Sequence, residues 1–289
     1  MREEAAVVLT DIDAAAGESL AQRLAGKGGK VLFLRQDVAD EGSWKEVVAA
    51  ALGRFGKLHV LVNNAGTIAR QGIADTTVDA WNRTLAVNLT GPMLGMKHCA
   101  PAIRDSGGGS IINISSTAGL AAHDDAAYTA SKWGLRGLTK TAVLQFSPWN
   151  IRVNSIHPGQ IADTGFFRTA SEAFAHAARV AIPLHRQGTP KECADLVLFL
   201  ASDEASFISG AEIAIDGGYI AAGTASLQPR ARRFHRRAQL SVTPSTSAQM
   251  HSNDSVSPNR SCPALCRAST ESGKPYDASR GCPRIKSVG

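Results

Sequence analysis

A chain of 289 residues, 44% hydrophobic and 19% charged, is long enough for one sizeable α/β domain and has the composition of a protein that folds. Its formal charge of +6 is unevenly placed: Thr224 to Gly289 holds 11 of the 31 Lys and Arg but 3 of the 25 Asp and Glu, so the body has 20 basic and 22 acidic residues. A slightly acidic body excludes the clustered cations of a nucleic-acid surface, and no apolar run approaches the roughly 18 residues of a membrane span.

The start, MREEAAVVLTD, lacks the apolar segment and cleavage site of a secretory signal, so a cytoplasmic location is expected. Cys99 and Cys193 fall in helical patterns, and Cys262, Cys266 and Cys282 near the end; this is neither a disulfide framework nor a zinc spacing.

In chain order, the apolar run AVVLT (Ala6 to Thr10) ends at Asp11 and predicts a strand, followed by a helix over Ala14 to Leu24. The unit recurs. Val31 to Val38 precedes a helix over Ser43 to Phe55, Leu58 to Gly66 precedes a long helix over Val78 to Ile103, and Ser110 to Ser116 precedes one over Ala127 to Phe146. Ile151 to Gly159 is then a strand, Lys191 to Ala201 a helix and Ala211 to Asp216 a last strand. Apolar strands alternating with amphipathic helices predict a doubly wound parallel sheet covered on both faces. Ligands in such sheets sit beyond the carboxyl ends of the strands.

From Thr224 the pattern stops. The remainder, rich in Ser, Pro, Arg and Thr, lacks the apolar surface to offset its ordering entropy and is expected to be a disordered tail after a catalytic domain over residues 1–223.

Tyr128 and Lys132 stand four apart on a predicted helix and share one face. A phenol ionises near pH 10, and a neighbouring ammonium favours the phenolate, which suits the pair to proton exchange with an alcohol. His123, Asp124 and Asp125 look like an acid or metal cluster, but in a loop they read as a solvated turn, and no metal is expected.

Between Ala5 and about Gly223 the sequence resembles the short-chain dehydrogenase/reductase family, on NNAG (Asn63 to Gly66), VNLTG (Val87 to Gly91), INISSTAG (Ile112 to Gly119), YTASKWG (Tyr128 to Gly134), IRVNSIHPG (Ile151 to Gly159) and SGAEIAIDGG (Ser209 to Gly218). Within the family it looks like bacterial NAD-dependent members that act on secondary alcohols or ketones, hydroxysteroid dehydrogenases included. The resemblance implies a Rossmann-type sheet, a small alcohol or ketone substrate, no nucleic-acid or membrane partner, and a homo-dimer or tetramer built on the helices over Val78 to Ile103 and Ala127 to Phe146.

It also implies roles. Tyr128 would exchange a proton with the substrate oxygen, Lys132 would tune it and hold the nicotinamide ribose, and Asn88 would anchor a water relaying protons to solvent. The family spacing of thirteen residues before the tyrosine lands on Ser115 as the substrate-polarising serine, and the local ISS-x-x-G pattern on Ser116; side chains alternate along a strand, so only one can face the site, and Ser116 is preferred, with GLAAHDDAAY read as a loop one residue short. Asp11 would accept from the adenosine ribose and favour NAD over NADP, although a helix N-cap aspartate would look the same. Asp37 and Val38 would flank the adenine, Asn63, Asn64, Ala65 and Gly66 would let the chain pass close to the cofactor, and Pro158, Gly159, Ile161 and Thr164 would lie on the nicotinamide side. The stretch from Asp163 to His185, with Phe166, Phe167 and Phe174, would set substrate choice.

Family members also begin with a strand and a TGxxxGxG turn whose amides cradle the pyrophosphate, and neither occurs in these 289 residues. A truncated domain is expected on that ground. Loss of two or three such hydrogen bonds would weaken cofactor binding by ~3–9 kcal/mol.

Overall fold

The computed structural model describes residues 5–165, 176 and 180–223. The chain divides into two units, Met1–Arg232 and Arg233–Gly289, and all described residues belong to the first. The tail from Thr224 and the phenylalanines Phe166, Phe167 and Phe174 lie outside the described residues.

Among the described residues, six strands alternate with helices. They are β1 (Val7–Asp11), β2 (Val31–Arg35), β3 (Val60–Asn63), β4 (Gly109–Ile114), β5 (Ile151–Pro158) and β6 (Glu212–Ile215). The helices are α1 (Ala14–Ala25), α2 (Glu41–Phe55), α3 (Val78–Leu85), α4 (Gly91–Asp105), α5 (Ala126–Phe146), α6 (Pro190–Ala201) and the short α7 (Tyr219–Ala222). Every ladder is parallel, as short apolar strands joined by helical crossovers require. The architecture is a doubly wound α/β fold of the Rossmann type.

The strands form two ladders, β1-β2 and β3-β4-β5-β6. β1 and β3 do not pair, and Val62 on β3 stays 39% exposed. The central strands β4 and β5 are buried on both faces. Ile111 and Val153 face a core shared with Leu94, Ile103 and Phe146, while Ile112 and Ile156 face one shared with Leu200 and Ala205. Each such side chain contributes about 1.5–3 kcal/mol.

The long helix expected over Val78 to Ile103 is interrupted. Ala86–Thr90 is a π-helical turn in which the Gly91 N–H reaches Ala86 O. The cause lies one residue on, since Pro92 has no N–H for the Asn88 carbonyl and the ladder widens there. The wide turn directs Asn88 inward, fully buried. β2 and β3 end earlier than their apolar runs, at Arg35 and Asn63, which leaves Asp37 and Asn64 on the exposed rim.

Two glycines open β4. Gly108 has φ +105°, and a Cβ on Gly109 would lie 1.9 Å from the carbonyl oxygen of His59, just before β3. Gly109→Ala is therefore expected to destabilise the domain by about 2–3 kcal/mol through overpacking against backbone that cannot yield, read as a lower urea midpoint.

Candidate active site

The site lies at the carboxyl ends of β3, β4 and β5, with α5 laid across them. α5 starts at Asp125, whose carboxylate accepts from Tyr128 N (2.8 Å) and also from Arg70 N. That one side chain caps the helix and ties down the loop after β3, in which Arg70 takes φ +59°. Ala126 N donates to Gln71 O at 3.1 Å and reinforces the tie. The solvated turn expected at His123 to Asp125 is thus corrected at Asp125, which is 1% exposed because it satisfies amides from two segments.

Lys132 is 4% exposed, and its Nζ donates to Ile114 O, the last carbonyl of β4, at 2.8 Å. Burial pushes the ammonium down to about 8. The Nζ also stands 5.6 Å from the centroid of the Tyr128 ring. One turn earlier, Tyr128 is 8% exposed, and the Ser116 side chain acts on its phenol in favour of the phenolate. Burial raises the phenol above its ordinary value, Ser116 works against the rise, and the Asp125 charge adds to it. The expectation that the ammonium would bring the phenol toward neutrality is corrected here: burial moves the phenol the other way, and the Nζ is engaged with Ile114 O.

The two serines part company. Ser115 N donates to Ile156 O at 2.8 Å and continues the ladder, and its hydroxyl turns to Lys132 O at 3.3 Å. Ser116, in extended backbone, accepts from Ala118 N at 3.1 Å and acts on the Tyr128 phenol. Gly119 allows this packing, because a Cβ there would lie 2.8 Å from Ser115 Oγ and 2.9 Å from Lys132 O.

Asn88 does not contact the Tyr128 ring in any bond described. Its Oδ1 accepts from Thr67 N (2.8 Å) and its Nδ2 donates to Thr67 O (2.9 Å) and Ser131 Oγ (3.1 Å), so both amide hydrogens are committed to holding the post-β3 loop against α5. Asn63, buried, donates to Asn113 Oδ1 at 2.8 Å. Asn64, Ala65 and Gly66 are exposed at the end of β3.

Asp11 is exposed at the end of β1 and accepts from Asp13 N at 2.9 Å; the N-cap of α1 is Asp13, so the capping alternative for Asp11 does not hold. Asp37 is exposed and accepts from Ala39 N, whereas Val38 packs into the core and gives its carbonyl to Trp44 Nε1. Pro158 and Gly159 end β5. Ile161 is buried in a parallel bridge with Gly188, and Thr164 Oγ1 donates to Ile161 O.

Three supporting groups escaped the motif reading. Arg136 on α5 binds both oxygens of Glu212 on β6 (2.8 and 3.1 Å) and donates to Gly119 O, holding the Glu212 carboxyl below its usual range and fixing the loop after Ser116. His157 on β5 faces Ser116, and Asp125 caps α5. Only Asp125 had a usable signal, an aspartate immediately before the first helical residue, three before Tyr128.

A family model described as enoyl-(acyl carrier protein) reductase matches residues 1–220. The chain belongs to the short-chain dehydrogenase/reductase family. It is 48% identical over 219 residues to a trans-4-hydroxycyclohexanecarboxylate dehydrogenase of Sinomonas cyclohexanicum, covering 73% of this chain and 82% of that protein. It is 41% identical to a 3-alpha-(or 20-beta)-hydroxysteroid dehydrogenase of Mycobacterium tuberculosis (76% and 81% covered). With a cyclopentanol dehydrogenase of Comamonas testosteroni the identity is 39% (76% and 89% covered). The crystal structure of gox2181 superposes with a TM-score of 0.72 at 28% identity, covering 74% of this chain and 86% of that one. The relatives are dehydrogenases of alcohols and steroids by name, and this short-chain dehydrogenase/reductase is an oxidoreductase by ancestry. No helix among the described residues is long and apolar enough to cross a membrane.

Family members of this kind use a nicotinamide dinucleotide, and part of the donor set fits one. Exposed carboxylates at Asp11 and Asp37 suit ribose and adenine donors, exposed backbone runs from Asn64 to Gly66, and the Lys132 ammonium has two hydrogens beyond the one given to Ile114 O. Both side-chain amide atoms of Gln36, beside Asp37, and Oε1 of Gln160, beside Gly159, are buried without partners among the described residues. Such orphans cost about 1–3 kcal/mol each until something meets them. A pyrophosphate cradle is not among these features.

Lys132 makes a stability prediction. Its folded value of about 8 lies below the 10.5 of the free group, so the unfolded chain holds more protons between those values and stability rises with pH across that window. Relative to Lys132→Met, the wild-type unfolding free energy is expected to gain about 2 kcal/mol from pH 7.5 to 10 in urea titrations.

Proposed function

We propose that this chain transfers hydride between NAD(H) and a secondary alcohol or its ketone, with Tyr128 as acid and base. The observation that carries the reading is the pair of Tyr128 and Lys132, both buried on one face of α5 with the Lys132 Nζ 5.6 Å from the Tyr128 ring centroid and bonded to the last carbonyl of β4, at the carboxyl edge of a Rossmann-type sheet. The names of the relatives make alicyclic alcohols the first substrates to test.

When bound, a nicotinamide supplies the site of hydride donation or acceptance. Tyr128 hands its phenolic proton to the carbonyl oxygen during reduction and takes it back during oxidation. Ser116 donates to the same oxygen and stabilises the charge that develops there. Lys132 holds the nicotinamide ribose and keeps positive charge beside the ring. Asp11 and Asp37 receive the adenosine end, Val38 packs beside it, and Asn64, Ala65 and Gly66 leave room for the passing chain. Pro158, Gly159, Ile161 and Thr164 wall the nicotinamide side. Asn88 acts by fixing the loop at Thr67. Asp11, exposed and not spent on capping, favours a free ribose 2′-hydroxyl and hence NAD over NADP.

The raised phenol gives the reaction a direction-dependent pH profile. Tyr128 stays protonated at neutral pH, so ketone reduction proceeds there, while alcohol oxidation climbs as the phenolate forms on the alkaline side. Tyr128→Phe is expected to lower kcat by about 10²–10⁴-fold in both directions and to remove the alkaline climb. Cyclopentanol and cyclohexanol with NAD, followed by NADH absorbance, would measure it. Turnover by Tyr128→Phe equal to wild type would end this reading.

A second reading, a chain that serves chiefly as an assembly partner, draws on the outer face of α5, where Leu144 is 81% exposed and Trp133 lies under Arg136. Apolar exposure on a helix face that is otherwise well packed suits a homo-oligomeric contact. Leu144→Glu is expected to convert a dimer or tetramer to monomer in light scattering; a monomeric wild type would dispose of the assembly.

A further inference from the structure

We infer that His157 is a positioning residue that holds Ser116 in place to meet the Tyr128 phenol. The inference rests on the Ser116 and Tyr128 roles proposed above. The β4-β5 ladder ends at the bond from Ser115 N to Ile156 O, and Pro158, next in line on β5, has no N–H to extend it. Past that last rung, His157 reaches the continuation of β4 with its side chain. Its Nδ1 lies 2.9 Å from Ser116 O, and its Nε2 lies 3.0 Å from Ser155 Oγ.

The tautomer follows from the partners. A carbonyl only accepts, so Nδ1 carries the hydrogen; in a neutral ring Nε2 then accepts from the Ser155 hydroxyl. Burial lowers the imidazole below its ordinary value, opposed first by the bond to Ser116 O and then by Glu212, while the Arg136 and Lys132 charges add to the fall. The ring is fully buried and stays neutral, so it orients rather than exchanges protons.

The other bonds of Ser116 are local ones, to Ala118 N and Gly119 N. Its backbone is extended, its carbonyl also receives Gly119 N at 2.9 Å within a three-residue turn, and no strand partner continues past it. The His157 bond is the contact that ties this peptide to the sheet. Because the Ser116 hydroxyl lowers the Tyr128 phenol, a misplaced Ser116 would let that phenol rise further.

The test is a titration of the Tyr128 phenol by NMR of Cζ-labelled tyrosine in the full chain, assigned by its loss in Tyr128→Phe. Other charges near the phenol, Asp125 and Lys132 on α5 and His123 before it, are unchanged in every variant. Ser116→Ala is expected to raise the midpoint by about 0.5–1 pH unit, the effect of one lost neutral hydrogen bond. His157→Leu is expected to match it. His157→Asn, whose amide nitrogen falls near the position of Nδ1, should stay at the wild-type midpoint, whereas His157→Gln, reaching toward the Nε2 position, should not.

A wild-type midpoint in His157→Leu overturns the inference and leaves the reading of Ser116 standing. A wild-type midpoint in Ser116→Ala overturns both. Should His157→Leu lose its far-UV circular dichroism, the Asn and Gln variants decide: different midpoints support the positioning role, and equal ones refute it.

Discussion

The arrangement at the sheet's carboxyl edge depends on one buried ammonium. Lys132 gives up most of its hydration to reach the Ile114 carbonyl, and the cost appears as the fall of its proton affinity to about 8. That carbonyl is the last of β4, so the bond fixes the angle and the register of α5 over the strand end at once. Tyr128 lies one turn up the same helix, and the Ser116 side chain, just past β4, acts on its phenol. A neutral side chain of the same length would pack in the space but would not seek a carbonyl.

Polar groups fix the rest of the scaffold from inside. A line of amides and hydroxyls crosses the core from Asn63 through Asn113 to Thr139, joining β3, β4 and α5. A second set, Asn88 with Thr67 and Ser131, joins the π-helical turn to the loop after β3 and to α5. Each amide has few partners available, so the elements around it have few alternative placements, whereas an apolar core tolerates small sliding. Asp125 and Arg136 extend the same principle to the rim, the first by capping α5 and holding Arg70, the second by clamping Glu212 to Gly119 O.

The two ladders place different parts of the candidate cofactor site on different sub-structures. Asp11 and Asp37 stand on β1 and β2, and Asn64 to Gly66, Ser116, Tyr128, Lys132 and Pro158 stand on or beside the four-stranded ladder. The nicotinamide side is therefore the better supported half: its groups are held by buried hydrogen bonds. The adenosine side is exposed on strands whose apolar residues are half-buried, and the unmet amide of Gln36 lies next to it.

Apolar runs alternating with amphipathic helices determined the parallel α/β architecture and the order of its elements, because burial on both faces demands continuous apolar strands. The Tyr128–Lys132 spacing determined that the two share a helix face, and the family motifs pointed to Ser116 and the strand-end loops. Tertiary structure alone parted the two serines, since the Ser115 amide closes the ladder on Ile156 and its hydroxyl turns to Lys132 O, while Ser116 lies beyond the ladder. It alone showed that burial governs the Tyr128 proton, that Asp125 is enclosed rather than solvated, and that His157 stands behind Ser116. These are contacts between residues distant in the chain, and pattern along a chain records which face a residue takes, not which group waits across the gap.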